Sequence, residues 1–279
     1  MKSIKIYQVD AFANGIFSGN PAAVCPLNAV TNAPLMQQIA AENNLSETAF
    51  FSQNDGGFDL RWFTPEAEVD LCGHATLAAA HVIFTEMAYQ QSEIAFSTKS
   101  GILTVSRIAD GKYKMDFPAD ELQEVDMPFN FIKAIGKQPL EVWRGKTDYL
   151  LLYGSVEDIR SIDPNYGLIK NLPVRGIIVT SPGTDTDFVS RFFCPALGIN
   201  EDPATGSAHT SLAVFWANRL NKKNFSAKQL SRRMGHILCA LNGDRVILTG
   251  EAFTYLRGEI LIDPPEMIKS TLPTADRRY

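Results

Sequence analysis

The spacing of apolar positions changes several times along this chain, and each change marks a predicted element. Lys5 to Phe12 reads as a strand, with Ile4, Ile6 and Val9 as its apolar positions, and the loop Gly15 to Pro21 that follows is rich in turn formers. Thr31-Asn32-Ala33-Pro34 supplies a capping residue and a first-turn proline, and Leu35, Met36, Ile39 and Ala40 share one helical face; this helix should stop near Asn43-Asn44. Ser46 to Phe51 is expected to be a strand with Glu47 at its start, and an Asn54-Asp55-Gly56-Gly57 turn leads to a second strand, Phe58 to Phe63, ended by Pro65. Ala75 to Met87 differs from both patterns, being apolar on nearly every side. A helix with no polar face has none to offer water, so it is predicted at the centre of a domain, where its alanines let strands pack close. Gly101 then opens Ile102 to Ile108, Ala109-Asp110-Gly111-Lys112 makes a turn, and Tyr113, Met115 and Phe117 alternate with polar residues as in a hairpin with one buried face.

The second half repeats this order. Strands are expected about Leu140 to Trp143 and Tyr149 to Tyr153, a helical stretch over Val156 to Leu172, and strands over Gly176 to Thr180 and Phe188 to Phe193. Arg61-Trp62-Phe63-Thr64-Pro65 matches Arg191-Phe192-Phe193-Cys194-Pro195 at an offset of 130, and Gly73, Gly101 and Gly111 match Gly206, Gly235 and Gly243 at offsets of 133, 134 and 132. Nearly constant offsets point to duplication. The predicted fold is α+β, with two pseudo-symmetric domains over 1–119 and 127–279, each a mixed curled sheet around a central buried helix. The acidic segment Asp120 to Asp126 is the expected boundary. A pseudo-two-fold axis would bring the helix starts at Gly73 and Gly206 to opposite walls of one cleft.

Composition narrows the function classes. A chain of 279 residues that is 45% hydrophobic can bury a large core, and a net charge of −5 leaves no footprint for nucleic acid. The short Arg232-Arg233 cluster reads as a solvated face. No apolar run approaches the roughly 20 residues of a membrane helix. Cys25, Cys72, Cys194 and Cys239 are dispersed, with no C-x-x-C pair and no leader ahead of the first strand, so a reduced, cytoplasmic protein is expected. No Walker or Rossmann glycine pattern indicates a nucleotide.

The chemistry concentrates in two related stretches, Asp70-Leu71-Cys72-Gly73-His74-Ala75-Thr76-Leu77 and Glu201-Asp202-Pro203-Ala204-Thr205-Gly206-Ser207-Ala208-His209. Each delivers polar residues to a helix N-terminus, where unpaired amides and the helix dipole favour an anion. The expected ligand is a small molecule carrying a carboxylate or a developing enolate charge. The repeat breaks where chemistry would need it to break. Glu47 maps by the offset of 130 onto the apolar Ile177, Asp202 lies in the longer loop of the second copy, His74 aligns with Ser207, and Cys72 with Thr205.

Glu47 is the candidate general base, against the alternative of an exposed strand-end glutamate. Asp202 is either catalytic or an N-cap, His74 either functional or a packed ring, and Cys72 either a thiolate activated by the helix start or an apolar filler. His81, His236, Cys194 and Cys239 are read as structural. His74, His81 and His209 lack the tight ligand spacing of a zinc site, and no metal is expected.

Four motifs together, Phe17-Ser18-Gly19-Asn20-Pro21-Ala22-Ala23-Val24, Ser46-Glu47-Thr48, Cys72-Gly73-His74-Ala75-Thr76 and Glu201 to Ala208, resemble the PhzF-like phenazine-biosynthesis isomerase family in order across the whole chain. The resemblance implies a diaminopimelate epimerase-like fold, a homodimer, no metal or organic cofactor, and isomerisation of a dihydro-hydroxyanthranilate or a related small anionic metabolite. It implies Glu47 as the proton-shuttling acid/base, with His74 and Asp202 beside it, and Asn20, Cys72, Gly73, Thr205, Gly206 and Ser207 as substrate-binding positions. Thr205, standing where cofactor-free epimerases carry a second thiol, weighs against two-base racemisation. An amino-acid racemase using Cys72 and a non-catalytic small-molecule binding or interaction protein are the alternative readings.

Overall fold

The computed structural model describes residues 2–29 and 32–262; Thr31 of the expected helix start and residues 263–279 of the expected second domain lie outside them. In chain order the first half runs β1 (Lys2–Ala13), β2 (Asn20–Pro26), α1 (Ala33–Asn43), β3 (Glu47–Asn54), β4 (Gly57–Phe63), β5 (Glu68–Val69), α2 (Gly73–Thr85), β6 (Glu93–Thr98), β7 (Gly101–Arg107) and β8 (Tyr113–Pro118). The second runs β9 (Gln123–Glu124), α3 (Phe131–Ile135), β10 (Glu141–Arg144), β11 (Asp148–Leu152), α4 (Val156–Ser161), α5 (Tyr166–Lys170), β12 (Gly176–Pro182), β13 (Phe188–Cys194), β14 (Ile199–Glu201), α6 (Gly206–Leu220), β15 (Asn224–Gln229), β16 (Gly235–Asn242) and β17 (Arg245–Ile262).

Strand pairing closes a ring in the first half, β1-β2-β3-β4-β6-β7-β8-β17 and back to β1, in which only β2–β3 and β4–β6 are parallel. The second half follows the same plan, β10-β11-β12-β13-β15-β16-β17-β8, with β11–β12 and β13–β15 as its parallel pairs. Parallel pairs at matching places are what a duplicated α+β unit requires. The two sets of strands share β8 and β17: β17 pairs with β16 and β8 near its start and with β1 over its remaining length.

Each curled sheet encloses one helix. All residues of α2 from His74 to Phe84 are buried, which is why no polar stripe shows in its sequence. Within α6 the buried face carries Leu212, Ala213, Phe215 and Trp216, and the Trp216 indole stacks on the Phe188 ring at 5.7 Å. Both strand faces are covered where helices pack outside: α1 sets Met36, Ile39 and Ala40 on Cys25, Phe50 and Phe63, while Phe51 points into the inner core. That double burial replaces the alternation of a half-exposed strand with the run Ala49-Phe50-Phe51.

Two expectations change. The helical stretch Val156 to Leu172 is two short helices, because Pro164 lacks an amide hydrogen and disfavours helical geometry at Asp163; Ser155 and Asn165 cap the pieces by accepting from the amides of Asp158 and Leu168. Residues 20–26, which begin in the expected loop, form β2, paired antiparallel to β1 and parallel to β3. Asn32 caps α1, its Oδ1 accepting from the Leu35 amide at 3.1 Å.

Candidate active site

The two central helices meet at their N-termini. A methyl group added to Gly73 would lie 3.7 Å from Cα of Gly206, and one on Gly206 would lie 3.8 Å from Cα of Gly73. Both glycines therefore line the floor of a single cleft of about 480 Å³, whose walls carry Glu47, Cys72, His74, Phe117, Arg175, Phe192, Asp202, Thr205 and Ser207. The segment leading into each helix is pinned in the same way. Arg61 makes a two-pronged ion pair to Glu68 in the first half, and Arg191 makes one to Glu201 in the second, with leading distances of 2.7 Å in both.

The polar side chains form one connected group across the cleft. Glu47 opens β3, and its Oε2 lies 3.1 Å from Nε2 of His74 in the first turn of α2. The pair sits at ion-pair distance without hydrogen-bond alignment, so both atoms are buried with an unused bond. The other ring nitrogen, Nδ1, lies 3.5 Å from Sγ of Cys72 and 3.1 Å from Nδ2 of Asn20. Asn20 Nδ2 donates in turn to Asp202 Oδ1 at 2.8 Å and to the Ala204 carbonyl at 3.1 Å, joining residues 182 and 184 positions apart. Asp202 does not cap α6. Its second oxygen accepts from the Thr205 hydroxyl, and the Thr205 amide is satisfied by Gln229, whose Oε1 accepts it at 2.9 Å.

Burial and charge set the protonation of this group. Burial opposes charge on the His74 ring, but its neighbours Cys72 and Glu47 outweigh that and hold its pKa well above the usual imidazole range. Burial, with Glu47 nearby, pushes the Cys72 thiol up to about 11, so near neutral pH Cys72 is a thiol and Glu47 is the partner that keeps His74 charged. Burial also raises the Asp202 carboxyl, with Glu47 adding to the shift and His74 opposing it.

Glu47, Cys72 and His74 present ligand atoms within 4.8 Å of one another. As arranged they do not form one cation site, because His74 turns Nε2 to Glu47 and Nδ1 to Cys72, and an imidazole gives an ion one nitrogen. His81 is spent at both nitrogens, on Tyr113 at 2.9 Å and Thr254 at 3.0 Å, far along α2. His209 uses Nδ1 on the Thr205 carbonyl.

Three polar residues escaped the sequence reading. Gln229 is fully buried behind Asp202 and Thr205. Arg233 is not part of a solvated face: its guanidinium holds Asp10 at 2.7 Å and donates to the carbonyls of Gly19 and Ser18, clamping the loop that presents Asn20. Arg175 lines the cleft, bound to Asp148 and to the Ser207 hydroxyl. Its position has a signal that could have been used, since it is a lone cation directly ahead of the apolar strand Gly176 to Thr180. The register also refines the duplication. Arg61 pairs with Phe50 and Arg191 with Val179, so the counterpart of Glu47 is Gly176, one residue before Ile177 and directly after Arg175.

The family model described as phenazine biosynthesis-like protein matches residues 9–258. A protein of Halalkalibacterium halodurans named an uncharacterized isomerase is 48% identical over 267 residues, covering 94% of this chain and 100% of that one. The crystal structure of a PhzF-family phenazine biosynthesis protein from Enterococcus faecalis is 41% identical with a TM-score of 0.90, covering 94% of this chain and 100% of that one. A hydroxyproline epimerase of Agrobacterium vitis, 10% identical over 95% of this chain and 94% of its own, has a TM-score of 0.62 and so shares the fold alone. The duplicated α+β architecture and these likenesses agree, and the chain belongs to the phenazine biosynthesis-like (PhzC-PhzF) family of isomerases.

Proposed function

We propose that the protein is a cofactor-independent isomerase that moves a proton on a small carboxylated metabolite in the cleft, with Glu47 taking the proton from carbon and returning it. The carrying observation is the pair Glu47 Oε2 and His74 Nε2, buried 3.1 Å apart on the cleft and each short of a hydrogen-bond partner. Buried polar atoms left unpaired are costly, and a reacting substrate would supply the missing partner. When a C–H proton passes to the Glu47 carboxylate, the electron pair it leaves moves through the conjugated substrate into its carboxylate. Delivery of a proton from Glu47 to another carbon, after the one it holds has exchanged with solvent, restores the charge balance and completes a shift of the double bond. Gly73, Gly206 and Ser207 line the cleft, and the first-turn amides with the Ser207 hydroxyl are the donors that would meet charge on the carboxylate oxygens.

His74, held in its charged form, sits against the Glu47 carboxyl at the cleft wall. Asp202 and the Ala204 carbonyl hold the Asn20 amide, whose nitrogen lies 3.1 Å from Nδ1 on the far side of the His74 ring. Cys72, a neutral thiol near pH 7, is a poor base, and this supports proton transfer through Glu47 over racemisation through a thiolate. By family resemblance the working form is a cytoplasmic homodimer, which light scattering on the purified chain would check.

Dihydro-hydroxyanthranilate, named by the resemblance, is the first substrate to test. Turnover in deuterated water should place label on carbon, and Glu47→Gln should lower the rate by about 10²-fold or more. Undiminished turnover in that variant would remove Glu47 from the role.

A further inference from the structure

We infer that Arg175 is a positioning residue that makes Ser207 a hydrogen-bond donor to the substrate carboxylate, and so decides which end of the substrate faces which half of the protein. The inference rests on the reading of the cleft as a site for a carboxylated metabolite.

The first support is the geometry of the guanidinium. Asp148 is only 3% exposed and takes Arg175 in a two-pronged contact, Nε to Oδ1 at 2.9 Å and Nη2 to Oδ2. The Thr147 hydroxyl bonds the same carboxylate at 3.2 Å, and the guanidinium lies over the Phe192 ring at 5.4 Å. A planar fork held along one edge has one remaining direction, and here it carries Nη1 to 3.0 Å from Ser207 Oγ. Arginine has no acceptor atom, so Ser207 must accept in this bond. Its own hydroxyl hydrogen is then left for another acceptor, and Ser207 lines the cleft. With its charge matched by Asp148, Arg175 serves to orient Ser207 and polarise its hydroxyl.

The second support is the duplication. Glu47 opens β3 beside its parallel partner β2, and the register places Gly176 at the same point of β12 beside β11. At equivalent strand starts, the first half thus presents a carboxylate and the second presents Arg175 one residue earlier. The carboxylate end of a substrate is met by Ser207, turned by Arg175, and its reacting C–H is met by Glu47 and His74.

The test is binding of anthranilate and of its uncharged amide, measured by calorimetry on the full chain. The wild type should prefer anthranilate by about tenfold or more, the scale of one hydrogen bond to a charged group. Ser207→Ala should lower that preference severalfold, the helix-start amides keeping the remainder, without lowering the melting temperature. Arg175→Lys keeps the charge but cannot hold Asp148 and Ser207 together, so it should lose the preference to a similar degree, and the double variant should lose no more than Ser207→Ala. Asp148→Asn combined with Arg175→Met removes the pair without leaving a lone cation in the cleft and should lower the preference to a similar degree; if Arg175→Lys does not fold, this pair and Ser207→Ala carry the test. No preference in the wild type, full preference in Ser207→Ala, in Arg175→Lys or in the Asp148→Asn, Arg175→Met pair, or losses that multiply when Ser207→Ala and Arg175→Lys are combined would overturn the inference. Turnover is read separately: carboxylate preference without isomerisation would refute the proposed reaction and leave this inference standing.

Discussion

Gly73→Ala separates stability from function at the meeting point of the two helices. Gly73 is the first residue of α2 and does not have a left-handed backbone, so alanine can adopt its conformation. The added methyl would lie 3.7 Å from Gly206 Cα and 3.7 Å from Phe117 Cζ, ordinary contact distances, so no clash opposes it. Alanine restricts the unfolded chain more than glycine, which should stabilise the fold by about 0.4–1 kcal/mol. For a chain of this size that corresponds to a rise in melting temperature of roughly 1–4 °C. Gly206 and Phe117 both line the cleft, so the same methyl occupies its floor and keeps a carboxylate from the helix-start amides. Losing one such donor typically costs 10²–10³ in rate, about 3–4 kcal/mol of transition-state stabilisation. Thermal melting and kcat/KM on the same preparation give the answer: equal or higher stability with sharply lower kcat/KM. Full activity in a stabilised variant would show that the amides are not used, and a melting temperature several degrees lower would refute the packing argument.

Cys72→Ala should retain activity within about one order of magnitude, because a thiol with a pKa of about 11 supplies little thiolate at neutral pH; near-complete loss in steady-state assays would revive the thiolate mechanism. Arg233→Met leaves Asp10, 1% exposed, without its cationic partner and should destabilise the fold by about 2–3 kcal/mol in urea unfolding, while lowering turnover by freeing the loop that carries Asn20; a neutral effect on both would remove the clamp. His81 has its pKa lowered by burial to about 4, against an ordinary 6.5 when unfolded, so it takes up a proton on unfolding between those values. That lowers stability as pH falls from 6.5 to 4, by ~2 kcal/mol at pH 5. The stability gap between wild type and His81→Gln should therefore shrink by that amount from pH 7.5 to pH 5 in urea titrations, and a constant gap would contradict the assignment.

Much of the fold was legible because local sequence encodes how a segment divides between core and water. The apolar surface of α2 on all sides, the Tyr113-Met115-Phe117 alternation in β8, and the Arg-x-Phe-x-Pro landmarks before both helices each report an environment met within one element. β2 was hidden by its flanking turn formers and prolines. In the candidate site, His74, Asp202 and Ser207 could be named because each lies in or beside a helix start, where a short motif carries the chemistry, and Glu47 because it is a lone carboxylate opening an apolar strand.

The sequence by itself determined the duplicated α+β plan, the two buried helices, and the set of polar residues carried to their N-termini. Only the tertiary structure decided how those residues are wired: Asn20 reaching Asp202, Arg233 clamping Asp10, and Arg175 turned by Asp148 onto Ser207. The reason is physical. Burial follows from the periodicity of neighbours in the chain, but a hydrogen bond between buried groups depends on distance and direction in space, which emerge once β8 and β17 have drawn the two halves together.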